Sequence, residues 1–251
     1  MASPDDLDQV AVQAFTGKVF GMIVGGISAF MIDLGQRTGL FSVAADAGPL
    51  TSHEIAARAG LAERYVREWL GALTAAGVFS YDPATRRFTL PAEHAACLCG
   101  ETGRNIAPRT QLVAFLGRHV PAVADAFRDG GGVPYSAYRP EFTGLMDRFN
   151  RFRYDQLLVS GYLKAVDGLV ERLETGAGVA DIGCGSGHCV NLMAAAFPDS
   201  TFDGFDIDTD AIDAARAEAT AMGLTNARFE VRDVTELPGA YDVITAFDAI
   251  H

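Results

Sequence analysis

Residues 179–187 read Val-Ala-Asp-Ile-Gly-Cys-Gly-Ser-Gly, a short apolar run that passes straight into three glycines at alternate positions. Gly183, Gly185 and Gly187 leave that turn almost bare of side chains. Backbone of this kind tolerates φ values that other residues avoid and lets a ligand come within contact distance. A helical pattern follows, with Val190, Leu192, Met193, Ala196 and Phe197 as its apolar positions. A strand, a glycine turn and a helix N-terminus together make a site for a ligand carrying a negative group.

The stretches that follow repeat the rhythm. Residues 201–207, Thr-Phe-Asp-Gly-Phe-Asp-Ile, form a second apolar strand with Asp206 near its tip. A carboxylate there, about 20 residues past a glycine loop, can accept both hydrogen bonds of a ribose diol. A third strand, Ala227 to Val231, ends near Asp233; a fourth, Tyr241 to Ala246, runs into Phe247, Asp248 and His251. Thr209 to Met222 reads as the helix between strands two and three, with Asp208, Asp210 and Asp213 as its start and solvated face. Strands alternating with helices imply a parallel sheet covered by helices, an α/β class. A dinucleotide site favours Gly-x-Gly-x-x-Gly, whose third glycine lets the helix pack close. Here His188 stands at that place.

Gly-x-Gly-x-Gly led by Asp181, with Asp206-Ile207, Asp233-Val234 and Phe247-Asp248 in order behind it, resembles the Rossmann-like S-adenosylmethionine-dependent methyltransferases over about residues 165–251. The resemblance implies a cofactor, S-adenosylmethionine, and a role for each match. Gly183 and Gly185 would line its methionine half, and Asp181 would bind its amino group directly or through water. Asp206 would hold the ribose hydroxyls and Ile207 would pack on the adenine face. Asp233 would accept from the adenine amino group, with the Val234 backbone at the ring edge and Phe247 near the methionine carboxylate or sulfur. No metal is implied.

The N-terminal half has its own pattern. Phe20, Ile23, Val24, Ile27, Phe30, Met31 and Leu34 recur at helical spacing, while Gly21, Gly25, Ser28 and Ala29 keep the remaining surface small. Such a helix is expected to be buried on both sides, either in a bundle of its own chain or against a second subunit. The uncharged run Val19 to Ile32, between Lys18 and Asp33, is too short to span a bilayer. Residues 50–90 read as a winged helix. Thr51 and Glu54 form a capping box, and Gly60 ends the first helix. A second helix from Ala62 to Ala76 is expected to bury Tyr65, Val66, Trp69, Leu70 and Leu73, and two strands meet at the turn Asp82-Pro83-Ala84-Thr85. A winged helix often binds DNA, but here Glu63 and Glu68 interleave with Arg64 and Arg67, where a DNA reader shows a strongly basic face. The order of helix, winged helix, helical linker and methyltransferase domain resembles the small-molecule O-methyltransferases of the plant type and their bacterial relatives. In that family the winged helix serves dimerisation and builds part of the substrate wall.

Three segments are therefore expected: 1–100, a helical and winged-helix dimerisation domain; 101–170, a helical linker on the substrate side; and 171–251, the cofactor domain. After the Gly130-Gly131-Gly132 loop come Tyr135, Tyr138 and Phe142, which either line a substrate pocket or anchor the loop. The chain carries 32 acidic and 20 basic residues, and nearly all of its net charge of −12 falls after residue 170. An acidic surface repels nucleic acid and acidic membranes and suits a small neutral or cationic partner. Four cysteines without zinc spacing or a disulfide framework point to a reducing cytoplasm, and Cys184 reads as a small neutral loop residue. Asp5, Asp6 and Asp8 stand where a signal peptide needs basic residues. The fourth strand is interior in the resembled family, so the α/β domain is expected to be truncated there, in a fragment of a longer protein.

His251 matches, by the same resemblance, the histidine that acts as general base after strand four; its imidazole would ionise a phenol-like acceptor. The implied function is methyl transfer from S-adenosylmethionine to a small, fairly apolar acceptor at oxygen, by a homodimer that neither binds DNA nor enters a membrane. The alternative is a winged-helix regulator whose second half only senses the cofactor.

Overall fold

The computed structural model describes residues 7–100, 102–235 and 237–249. The chain divides into two compact units, one up to Val120 and one from Pro121 onward. Residues 121–170 of the expected linker thus fall in the second unit.

The first unit begins with α1 (Gln9–Thr38). Asp8 caps it by accepting the Val10 and Ala11 N–H groups, and Gly39 ends it in the left-handed region. Next come α2 (Leu40–Ala44), α3 (Ser52–Ala59) and α4 (Glu63–Ala75). The capping box at Thr51 and Glu54 is present, and Arg87 pairs with the same Glu54. A hairpin follows, β1 (Ser80–Asp82) paired antiparallel with β2 (Arg87–Thr89), then α5 (Ala92–Leu98). Asp82 fixes the hairpin turn by accepting from the Ala84 N–H and the Thr85 hydroxyl. Leu50 bridges to Phe88, which ties the start of α3 to the wing.

Phe41, Trp69 and Phe79 form the centre of this unit, with ring centroids 5.2 to 6.2 Å apart. The last turns of α1 are fitted to that cluster. The Trp69 indole N–H donates to the Met31 carbonyl at 2.7 Å, and a Cβ on Gly35 would lie 2.5 Å from the Phe41 ring. Upstream the stripe is not buried within its own chain. Phe20 is 65% exposed, Ile23 54% and Ile27 51%, and nothing lies within 4 Å of a Cβ built on Gly21 or Gly25. Two helical turns are seated and the rest of the apolar stripe is uncovered. Among the described residues, α1 is also the one helix long and apolar enough to cross a membrane by length and composition, because its apolar character runs beyond the Val19–Ile32 segment. Tyr65 is likewise exposed, since the buried face of α4 is Val66, Trp69, Leu70 and Leu73.

α6 (Gln111–Asp129) spans the boundary between the units. The second unit continues with α7 (Glu141–Leu157), which ends in a π turn over Leu158–Tyr162, and α8 (Leu169–Glu174). Then β3 (Gly178–Ile182), α9 (His188–Ala196), β4 (Thr201–Asp206), α10 (Thr209–Ala221), β5 (Ala227–Val231) and β6 (Val243–Thr245) alternate as expected. The sheet order is β5-β4-β3-β6, and every pairing is parallel. β3 to β5 step outward in one direction, and the chain then returns to place β6 on the other side of β3. That reversal makes the carboxyl end of β3 the switch point, where open α/β sheets bind ligands. The core beneath it is apolar: Val179, Val190, Met193, Phe202 and Ile212 are all buried.

Candidate active site

The three glycines lie at the carboxyl end of β3, all with positive φ. They are glycine for different reasons. A Cβ on Gly187 would stand 2.5 Å from both Ala215 of α10 and the Phe229 ring of β5, so this glycine lets α9 start against the sheet. A Cβ on Gly183 would stand 2.5 Å from the Ala249 Cβ, where the chain after β6 crosses the loop. Gly185 has open space, with only a Thr143 methyl at 3.9 Å. The left-handed geometry, which disfavours Cβ, is what keeps residue 185 glycine.

A cavity of about 520 Å³ opens over this loop, within the range of small-molecule sites. Asp181, Gly183, Gly185, Asp206, Ile207, Val234 and Phe247 all line it, so seven sequence-assigned residues converge on one space. Asp233 is not among its lining residues. Its side chain is exposed and accepts the Thr235 N–H at 3.1 Å, while Arg232 and Val234 on either side reach the cavity. The turn after β5 rotates Asp233 outward. His251 lies outside the described residues. Of the loop aromatics, Tyr135 and Phe142 line the cavity, and Tyr138 packs against Phe142.

Two carboxylates give the cavity its chemistry. Asp206 accepts the Gly185 N–H through Oδ2 and the Asp208 N–H through Oδ1, at 2.8 and 2.9 Å. A carboxylate has about four lone-pair sites, so each oxygen retains one for a ligand hydroxyl. Asp181 is buried on β3, with its Oδ1 accepting the Thr245 hydroxyl at 2.7 Å. Burial pushes its pKa up to about 7, the Thr245 hydrogen bond opposes that, and Asp206 adds repulsion. A cationic group in the cavity would offset both burial and repulsion. Cys184 is half-buried and its thiol is pushed up chiefly by burial, which agrees with a small neutral loop residue.

Sequence reasoning expected a helical linker on the substrate side here but did not single out five residues of α7. Thr143, Met146, Asp147, Asn150 and Tyr154 of this helix line the cavity, and Tyr154 packs its ring 5.8 Å from Phe247. It also missed the partners of His188. His188 Nε2 lies 2.8 Å from Asp155, and Nδ1 lies 2.9 Å from Glu218. The available signal was the four-residue spacing of Asp147, Arg151 and Asp155, which puts three charges on one helix face.

Family models match both parts of the chain. Residues 26–100 match the Rv2258c-like winged HTH domain, and residues 173–251 match a methyltransferase domain. The chain joins a winged-helix domain to a methyltransferase domain. Over 68 residues it is 40% identical to trans-aconitate 2-methyltransferase of Deinococcus radiodurans, a stretch that covers 27% of this chain and 25% of that protein. The fold is shared with the mitomycin 7-O-methyltransferase MmcR, at a TM-score of 0.72 and 20% identity over 97% of this chain and 74% of that one. It is also shared with PigF, solved with SAH, at 0.69 and 20% over 92% and 70%. Human N-acetylserotonin methyltransferase, solved in complex with SAM, aligns at 0.61 and 17% over 98% and 72%. The methyltransferase domain fits S-adenosylmethionine in its donor set: a carboxylate free to take a diol, a buried carboxylate that calls for a cation, and glycine backbone between them.

Proposed function

We propose that this protein binds S-adenosylmethionine over the glycine loop and transfers its methyl group to a small, fairly apolar acceptor at oxygen. The observation that carries this reading is the Asp206 carboxylate. It is anchored by two backbone N–H groups and faces the cavity at the tip of β4. In this reading Asp206 orients the ribose, Asp181 neutralises the amino group, Ile207 and Val234 flank the adenine, and Phe247 sits by the methionine end. Asp233 holds the turn that presents Val234. When bound, the cofactor would supply a sulfonium methyl that a nucleophilic oxygen can attack, the sulfur leaving as a neutral thioether. Met146, Tyr154 and Phe247 exclude water from the acceptor side, and His251 takes the acceptor proton. Titration calorimetry tests the cofactor assignment: S-adenosylhomocysteine should give saturable heat and NAD none. Saturation by NAD alone would overturn it.

The stripe Phe20, Ile23 and Ile27 on α1 is assigned to a homodimer held by the N-terminal unit. A dimer suits it better than a bilayer, because the same helix seats Gly35 and the buried Asp33 in the winged-helix core. The four free cysteines suit the cytoplasm. The regulator alternative is disfavoured by charge: on α4, Arg64 pairs with Glu68 at 3.1 Å and Arg67 with Glu63 at 3.9 Å. Little net positive charge is left on that helix for a phosphate backbone.

A further inference from the structure

α7 does more than wall the cavity. Thr143, Asp147, Arg151 and Asp155 recur every four residues, and each is tied to a loop or helix on the cofactor side. Thr143 donates to Asp208 at 2.9 Å, and the Ser186 hydroxyl of the glycine loop donates to Asp147 at 2.6 Å. Arg151 bridges Asp147 to Glu218 of α10 and also lies 2.8 Å from His188 Nδ1. Asp155 holds His188 Nε2. Among the described residues no group of His, Cys, Asp and Glu is placed to hold a metal ion, and here the guanidinium occupies the middle of the acidic groups.

His188 is the first residue of α9 and is 8% exposed. A helix N-terminus repels a cation. Two carboxylates from two other helices compensate at this one. Its Nδ1 has two neighbours that require opposite things. With the proton on, Nδ1–H donates to Glu218; with it off, the bare nitrogen accepts from Arg151. The protonation state therefore selects which contact of the cluster is made.

We propose that His188 is a positioning residue whose protonated form, clamped between Asp155 and Glu218, locks the glycine loop against α7 through Arg151, Asp147 and Ser186. The wall that faces the acceptor and the loop that holds the cofactor then keep one register. This rests on the cofactor reading given above. The charged groups facing the imidazole are Asp155 and Arg151 from α7 and Glu218 from α10, with Asp147 one step behind Arg151. Burial lowers the affinity of His188 for its proton, but its contacts with Glu218 and Asp155 outweigh that and raise it above an ordinary imidazole.

The test is calorimetry with S-adenosylhomocysteine on the full chain, comparing wild type with His188→Gln from pH 5.5 to 9. Taking the ratio of affinities removes ionisations of the ligand and of Asp181, which both proteins share. The ratio should be about tenfold in favour of wild type at low pH and fall toward one as His188 loses its proton. His53→Gln, at an exposed histidine of the first unit, should behave as wild type. A ratio of one throughout, or a constant ratio at every pH, would overturn the proposal, the latter because simple packing loss does not titrate. Should His188→Gln fail to fold, Ser186→Ala removes the hydrogen bond to Asp147 at the rim of the cavity and should weaken binding about threefold. Unchanged affinity there would also overturn it. A wild type that binds no S-adenosylhomocysteine defeats the cofactor assignment and this proposal with it; binding by wild type with unaltered variants defeats this proposal alone.

Discussion

Asp206 accepts the Gly185 N–H at 2.8 Å, so the carboxylate assigned to the ribose also braces the loop assigned to the methionine half. One side chain therefore ties the ends of β3 and β4 together on the ligand side. Asp206→Ala removes both the brace and the ligand contact. S-adenosylhomocysteine binding should weaken by about 1.5–3 kcal/mol, the range for hydrogen bonds to a charged group. Calorimetry measures this directly. Unchanged affinity would mean the ribose is held elsewhere.

Asp181 predicts a pH dependence with a definite sign. Burial holds its carboxyl near pKa 7 in the folded chain, against an ordinary value of 3.8. Between those values the folded state keeps a proton that the unfolded state has lost. Its contribution is therefore fully present below about pH 4 and is lost as pH rises toward 7. Denaturant titrations of ligand-free protein should show wild type losing stability across that window, by a few kcal/mol at most, relative to Asp181→Asn. Cofactor binding should reverse the preference, since an ammonium favours the ionised carboxylate. Calorimetry in two buffers near pH 6.5 should detect proton release in wild type and none from this site in Asp181→Asn. Equal proton release by both would remove Asp181 from the amino-group contact.

Two of the three glycines separate by experiment. Gly187→Ala forces a Cβ into Ala215 and Phe229 at a positive φ, and overpacking plus left-handed strain should cost about 2–4 kcal/mol of stability. Gly185→Ala meets open space and should cost only the strain, about 1–2 kcal/mol. Thermal unfolding ranks the two. The reverse order would mean that Gly187 is not set by packing against α10 and β5.

What could be read from the sequence was mostly local. The capping box at Thr51 needs only Glu54, three residues on, and the glycine loop needs only its own neighbours. The alternation of β3 to β6 follows from apolar runs of strand length. Tyr65 was misplaced because it adjoins Val66 in sequence, while the buried face of α4 steps by three and four residues. The outward direction of the Asp233 side chain depends on the turn that Thr235 closes, which no local pattern announces. The His188 cluster was out of reach for another reason. Apart from the Asp147–Arg151 pair within α7, its bonds join residues 30 to 67 positions apart, and no local pattern links Arg151 to Glu218.

His251 carries the prediction on acceptor chemistry. If it takes the acceptor proton, His251→Ala should lower turnover about 10²–10⁴-fold, the usual share of general-base catalysis. Affinity for S-adenosylmethionine should barely change. The wild-type rate should rise as the imidazole deprotonates, and the variant should lose that limb. A variant that keeps its rate would move the reaction toward catalysis by proximity alone.

The exposed stripe on α1 makes the last prediction. Phe20, Ile23, Ile27 and Phe30 follow one another at three- and four-residue spacing and all face outward, beside glycines with no neighbour within 4 Å. A contiguous apolar patch of this kind marks an interaction surface, and small residues within it let a second helix approach closely. The last turns of α1 are fixed in the winged-helix core by Gly35 and Met31, so the stripe is presented from a rigid base. Light scattering on the full chain should give a dimer at micromolar concentration. Ile23→Glu combined with Ile27→Glu should give a folded monomer, since neither residue belongs to the buried core of the unit. Circular dichroism would confirm that the helices persist. A wild type that is monomeric and soluble at that concentration would show that α1 does not join two copies of this chain.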